Sequence, residues 1–128
     1  MKLLLDTNAL LWIAESPERL SIAAHGVVTT PENDVFISSI SMWEICQKIA
    51  IGKLSLSTSP QEMVRLSCEN LKARFISFDV ADCYYLHTLP PIHRDPFDRM
   101  LICQAIQNNL TIVTPDKDIR QYPIATLW

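Results

Sequence analysis

Four acidic residues stand where a carboxylate can do more than solvate a surface. Asp6 follows the apolar run Leu3 to Leu5 without a gap, and Asp116, in VTPDKDI, comes after the β-rich run Leu110 to Val113 with Thr114 and Pro115 between. Glu44 lies in SSISMWEI between Trp43 and Ile45, and Asp98 lies in HRDPFDRMLICQA just ahead of a strongly apolar stretch. Three or four carboxylates within contact range cannot all stay ionised unaided: either their pKa values rise or a cation binds. Ligands that offer only oxygen select Mg²⁺ or Mn²⁺ over zinc. Such an ion polarises a phosphoryl oxygen and lowers the pKa of bound water, which is the chemistry of in-line attack on a phosphodiester. No Ser-His-Asp or Cys-His grouping offers a rival nucleophile.

Each acid also has a purely structural reading. Asp6 after a strand can simply be the N-cap of the next helix. Glu44 has Lys48 four residues on, the favoured orientation for a helical ion pair worth about 0.2–0.5 kcal/mol. Asp95 before Pro96 is a natural N-cap, and Asp98 then falls in the first turn, where an acid suits the helix dipole. Yet the stretch after Asp98, MLICQAI, implies a buried helix whose acidic start points inward or into a cleft.

The elements that must position these residues alternate. Leu3 to Leu5 is short, continuous and apolar, as in a strand buried on both faces of a parallel sheet. Ala9 to Ala14 continues as a buried helix, Ser16-Pro17 signals a helix start, and a second helix covers much of Leu20 to Val28. Thr30 to Asn33 forms a turn and Val35 to Ile37 a second strand. Ser38, Ser39 and Ser41 offer N-caps for a third helix through Trp43 to about Ile51, closed by Gly52 as a left-handed C-cap. Ser59-Pro60 opens a fourth helix to about Arg74, and Phe75 to Phe78 makes a third strand. Asp79 or Asp82 caps a short helix carrying Tyr84, Tyr85 and Leu86. Asp95-Pro96 starts a helix ending near Asn108-Asn109, followed by the strand Leu110 to Val113 and a weak strand from Ile124 to Leu127. This alternation predicts a parallel sheet between helical layers, with Asp6 and Asp116 at the same carboxyl edge, where open α/β sheets hold their ligands.

Composition narrows the functional classes. The chain has 128 residues, 48% of them hydrophobic and 20% charged, which suits one domain spanning residues 1–128. A net charge of −3 speaks against a generally basic nucleic-acid surface, though not a local one. Only Gly26 and Gly52 occur, which excludes a P-loop and a Gly-rich dinucleotide turn. Cys46, Cys68, Cys83 and Cys103 form no C-x-x-C pair and sit in apolar contexts, which predicts buried free thiols in a reducing compartment. His25, His87 and His93 lack metal-ligand spacing. No apolar run approaches the roughly 18 residues of a spanning helix. Lys2 precedes an apolar stretch, but Asp6 and Asn8 interrupt it and Glu15 to Glu18 offers no small-residue cleavage site, so a cytoplasmic protein is expected.

In order, DTN, S-x-x-S-x-W-E-I, H-x-D-P-F-D-R and T-x-D resemble a PIN-domain nuclease, in particular the VapC-type toxins of bacterial toxin–antitoxin pairs. The resemblance covers essentially the whole chain. It implies a three-layer α/β/α fold around a central parallel sheet of about five strands, with acids gathered at its carboxyl edge. Position by position, Asp6, Glu44 and Asp98 match the three core acidic ligands of Mg²⁺ or Mn²⁺, and Asp116 the fourth, more variable one. Thr114 and Asn8 are accessory positions, while Asp95 matches an extra aspartate assigned here to capping. Pro115 departs from commoner T-x-D variants and restricts the reach of Asp116.

The implied activity is metal-dependent cleavage of RNA, with a small antitoxin protein and a second copy of the chain as partners. Arg94, Arg99, Lys48, Lys117 and Arg120 are candidates to guide RNA past the acids, and solvated surface charge is an equally good account of any one of them. An apolar surplus in Leu3, Leu10, Leu11, Trp12 and Trp43 likewise predicts a dimer face. Two alternatives compete. A phospho-acceptor signalling domain shares the architecture and an acidic pocket, but needs a pair of acids after the first strand and gives Glu44 no role. A catalytically silent PIN module would not need the full acid set.

Overall fold

The computed structural model describes residues 1–128. Five strands, β1 (Lys2–Leu5), β2 (Asp34–Ser38), β3 (Arg74–Ile76), β4 (Thr111–Val113) and β5 (Thr126–Leu127), form one all-parallel sheet in the order β3-β2-β1-β4-β5. Six helices connect and cover it: α1 (Thr7–Glu15), α2 (Ile22–Thr29), α3 (Ser39–Ala50), α4 (Pro60–Leu71), α5 (Val80–Cys83) and α6 (Pro96–Asn108). The three-layer parallel α/β architecture expected from the sequence is therefore the one observed.

The central strand explains its own composition. Leu3 and Leu5 enter one core with Val35, Ile37, Ile45 and Met63, on the side of α1 to α4. Leu4 enters a second core with Leu101, Ile102, Ala105 and Ile112, on the side of α6. Alternate residues of a strand point to opposite faces, so a strand covered on both must be apolar throughout. All three leucines are fully buried, and truncating any of them to alanine would cost about 2–5 kcal/mol.

Chain order sets the site. From β1 the sheet grows outward through β2 to β3, whereas β4 and β5 are added on the other flank of β1. The order of strands therefore reverses between β1 and β4, which opens a crevice at their carboxyl ends. Asp6 leaves β1 at that edge, and Thr114 leaves β4 beside it.

Helix boundaries follow local chemistry. Ser21, Ser38 and Ser59 cap α2, α3 and α4 with their hydroxyls, and Asp95 caps α6 through the Asp98 amide at 3.0 Å. Gly52 follows α3 at φ 75°, the left-handed conformation that glycine adopts without a Cβ clash.

Several boundaries differ from expectation. Helix α4 stops at Leu71 because Lys72 turns left-handed, and β3 starts at Arg74 instead of Phe75. As an edge strand, β3 leaves Phe75 exposed, which weakens the apolar signal that would mark its limits. Residues Pro17–Arg19 make a separate 3₁₀ turn ahead of α2. Tyr84, Tyr85 and Leu86 lie beyond the four-residue α5.

The thiols are free, but only Cys103 is buried; Cys46 and Cys83 are exposed and Cys68 is half-buried. The phase of α3 turns Ile45 inward and therefore its neighbour Cys46 outward. The apolar surplus also shrinks. Leu3 and Leu10 belong to the core, and Trp12 packs edge-on to Trp128 under the Arg19 guanidinium, leaving Trp43 as the open tryptophan at 68% exposure.

Candidate metal centre

Asp6 is both a cap and a member of an acidic group. Its Oδ1 accepts the Ala9 amide at 2.6 Å, which starts α1, and its Oδ2 accepts the Thr114 hydroxyl. Thr114 Oγ1 in turn accepts the Asp116 amide at 3.0 Å. This short chain of bonds ties the ends of β1 and β4 together. Burial is the main reason the Asp6 pKa is pushed up to about 7; the Thr114 and Ala9 bonds oppose it, while the charges of Asp98 and Asp116 add to it.

Asp98 sits in the first turn of α6, as its spacing from Asp95 requires. Burial again raises its pKa, to about 6, with Asp95 and Asp116 adding and His93 opposing. His93 Nε2 lies 2.9 Å from Asp98 Oδ2. Asp6, Asp98 and Asp116 thus come from three chain segments and are close enough to feel one another's charge.

Glu44 is buried on α3, and both of its oxygens are engaged. Thr7 Oγ1 donates to Oε1 at 2.8 Å, and Lys48 Nζ lies 2.7 Å from Oε2. The ion pair read from the i,i+4 spacing is present. Thr7 ties Glu44 to the start of α1, one residue from Asp6.

As placed, no three His, Cys, Asp or Glu side chains stand close enough together to hold one metal ion. The donor set nonetheless suits a hard divalent cation, being carboxylates plus the Thr114 hydroxyl. Two of those carboxylates are desolvated and mutually repelled toward their protonated forms, a strain that a divalent ion would relieve.

The accessory positions divide. Thr114 touches Asp6, whereas Asn8 is exposed and the adjacent Thr7 makes the inward contact. The first turn of α1 buries Thr7 on the side that meets Glu44 of α3. Among the cations, Arg94, Lys117 and Arg120 are exposed, Lys48 is paired with Glu44, and Arg99 is bound to Pro90 and Tyr122. Neither His93 nor Tyr122 has the spacing of a metal ligand, and their contact with each other, behind Asp98, joins residues 29 apart in sequence.

The sequence model of the PIN domain family matches residues 3–125. The chain belongs to the PIN domain family. This PIN domain is also similar along its length to Ribonuclease VapC22 of Mycobacterium tuberculosis. The two are 25% identical over 130 residues, covering 98% of this chain and 97% of that protein.

Two solved structures share its fold. VapBC2 from Rickettsia felis, bound to a DNA fragment from its promoter, superposes with a TM-score of 0.74 at 21% identity, covering 100% of this chain and 99% of that one. FitAcB from Neisseria gonorrhoeae superposes with a TM-score of 0.63 at 21% identity, covering 98% and 96%.

Proposed function

We propose that this PIN domain is a metal-dependent endoribonuclease and the toxin of a toxin–antitoxin pair. The observation that carries the reading is that Asp6, Asp98 and Asp116 lie within range of one another's charge, with two of the three held toward protonation. Asp6, Glu44, Asp98 and Asp116 would hold Mg²⁺ or Mn²⁺. Bound there, the ion supplies Lewis-acid polarisation of a phosphoryl oxygen and a water acidic enough to attack it.

The chain's own residues supply the scaffold. Thr114 and the Ala9 amide fix Asp6, Thr7 fixes Glu44, and the start of α6 fixes Asp98. Arg94, Lys117 and Arg120 are free to meet the RNA backbone, while Lys48 neutralises Glu44.

The test is incubation of the purified chain with single-stranded and folded RNAs in Mg²⁺ or Mn²⁺. Cleavage that excess EDTA abolishes supports the reading; intact RNA under every condition removes it. A binding module without activity is the second reading, favoured by the full engagement of Glu44 with Thr7 and Lys48. The same assay separates the two.

Partners follow from the relatives, whose solved structures are VapBC and FitAcB assemblies. A small antitoxin is expected to lay a helix along the cleft of Leu11, Trp12 and Leu54, beside the early helices, and to reach the acids with an Arg or Lys. Co-expression with the adjacent small reading frame should yield a stable complex and relieve growth arrest. The free thiols suit a reducing cytoplasm.

A second copy is expected at the open apolar groove of Ile40, Trp43, Phe78, Phe97 and Met100. Light scattering at micromolar concentration should give a dimer mass for the wild type and a monomer for Trp43→Glu. A monomer for both would remove the dimer.

A further inference from the structure

The hydrogen bonds that reach Asp98 run in one direction. Arg99 can only donate, and its Nη1 lies 2.9 Å from the Tyr122 hydroxyl and 3.1 Å from the Pro90 carbonyl. The Tyr122 oxygen therefore accepts from Arg99 and keeps its own proton to give away. The near acceptor for that proton is His93 Nδ1 at 2.8 Å; the His93 carbonyl lies farther off, at 3.5 Å. A neutral imidazole that accepts at Nδ1 carries its proton on Nε2. Nε2 lies 2.9 Å from Asp98 Oδ2, which as a carboxylate oxygen accepts it. The opposite tautomer would set an Nε2 lone pair against the carboxylate.

The ring is also held in place by packing. His93 and Tyr122 stack edge to face with centroids 5.4 Å apart, and the His93 amide donates to the Tyr122 oxygen at 3.3 Å. Tyr122 itself is 3% exposed, so no competing water need be displaced to keep the chain of bonds intact.

We propose that Arg99, Tyr122 and His93 form a one-way donor chain that fixes His93 as the Nε2–H tautomer and makes it the positioning residue for Asp98. One carboxylate oxygen is clamped, and the other is left for the cation. The part that concerns the cation rests on the proposed nuclease function. Residues that orient a metal-binding carboxylate in this way typically change metal affinity or activity by about 10–100-fold when removed. The inference also reassigns Arg99, whose guanidinium is committed to this chain and not to RNA.

The test reads the tautomer and the metal separately from catalysis. In ¹⁵N-labelled protein at alkaline pH with EDTA, imidazole ¹H–¹⁵N spectra should show His93 protonated on Nε2 in the wild type, with the Nδ1 resonance moved toward that of a nitrogen without a hydrogen bond in Tyr122→Phe, which keeps the ring's packing. Calorimetric titration with Mn²⁺ should show binding about 10–100-fold weaker in Tyr122→Phe and His93→Ala. His93→Gln, whose amide can still donate to Asp98, should stay within about threefold of the wild type. In the RNA assay Tyr122→Phe and His93→Ala should lose kcat with KM for RNA unchanged, while His93→Gln keeps it. A wild-type His93 protonated on Nδ1 overturns the donor chain, and wild-type Mn²⁺ affinity in both His93→Ala and Tyr122→Phe overturns the positioning role. Wild-type protein that binds Mn²⁺ with the expected variant losses but cuts no RNA sinks the nuclease reading and leaves the donor chain standing.

Discussion

Replacing Asp98 by asparagine should lower metal-dependent RNA cleavage at least about a hundredfold, since under the proposed function the change removes a charged metal ligand and not merely one of its supports. Asp6→Asn should do the same. Neither substitution should unfold the protein. In Asp98→Asn the new amide oxygen still accepts from His93 Nε2, and in Asp6→Asn the new side chain still caps α1 by accepting the Ala9 amide. Asp95→Asn is the control, because an asparagine N-cap keeps the bond to the Asp98 amide and should hold activity within about threefold. Near wild-type rates in Asp6→Asn or Asp98→Asn would remove the proposed mechanism. An Asp95→Asn loss as deep as that of Asp98→Asn would show that the extra aspartate is more than a cap.

The metal-free protein should become less stable as pH rises. Asp6 and Asp98 ionise near 7 and 6 in the folded chain, against about 4 when unfolded. The folded state therefore binds more protons than the unfolded state across that interval, and stability falls as pH increases through it. The stabilising contribution is complete below about pH 4 and lost once pH passes about 7. In EDTA, Tm should be lower at pH 8 than at pH 5 by about 5–10 °C, a shift corresponding to a few kcal/mol.

Asp6→Asn should abolish most of that difference and make the metal-free protein more stable than the wild type at pH 8, while inactivating it. Mg²⁺ or Mn²⁺ should restore the wild type at pH 8 by binding the folded state alone. Thermal melts of both proteins at both pH values, with EDTA and with metal, check the sign directly. A wild-type Tm that rises between pH 5 and 8 in EDTA, and to the same extent in Asp6→Asn, would contradict the account. A site whose unliganded charges oppose folding, and whose neutralised variant is sturdier but inert, is the usual mark of a functional cluster.

Much of the fold was legible because the sequence is locally consistent. Leu3 to Leu5 admits one placement, a strand covered on both faces, and the acid behind it is then at a carboxyl edge. Ser-Pro and Asp-Pro pairs mark α4 and α6, and Gly52 marks the end of α3 by the one conformation it tolerates best. Weak signals failed where burial is weak. The edge strand β3 has no second neighbour to demand apolar residues, and the cysteines follow helix phase more than their neighbours' hydropathy.

At the site, the acids could be named because each belongs to a short motif. Their partners could not. Thr7 is distinguished from Asn8 only by which side of α1 faces α3. The pairing of His93 with Tyr122 depends on how the segment before β5 folds back on the start of α6, which no local pattern encodes.

The bond from Thr114 to Asp6 spans 108 residues of sequence. Strand β1 is made first, yet it stays half-covered until β4 is added beside it. Contacts between such distant residues form late, because the intervening chain must be ordered before they are rewarded. A chain still being synthesised, with β4 not yet released from the ribosome, would hold Asp6 without Thr114 or Asp116. Under the proposed function the protein is born on a particle made largely of its own kind of substrate, RNA, and the strand order then acts as a timer. On that reading a polypeptide lacking β4 is harmless to the machine that makes it, and the hazard begins only once β4 has joined the sheet, when a partner must already be at hand.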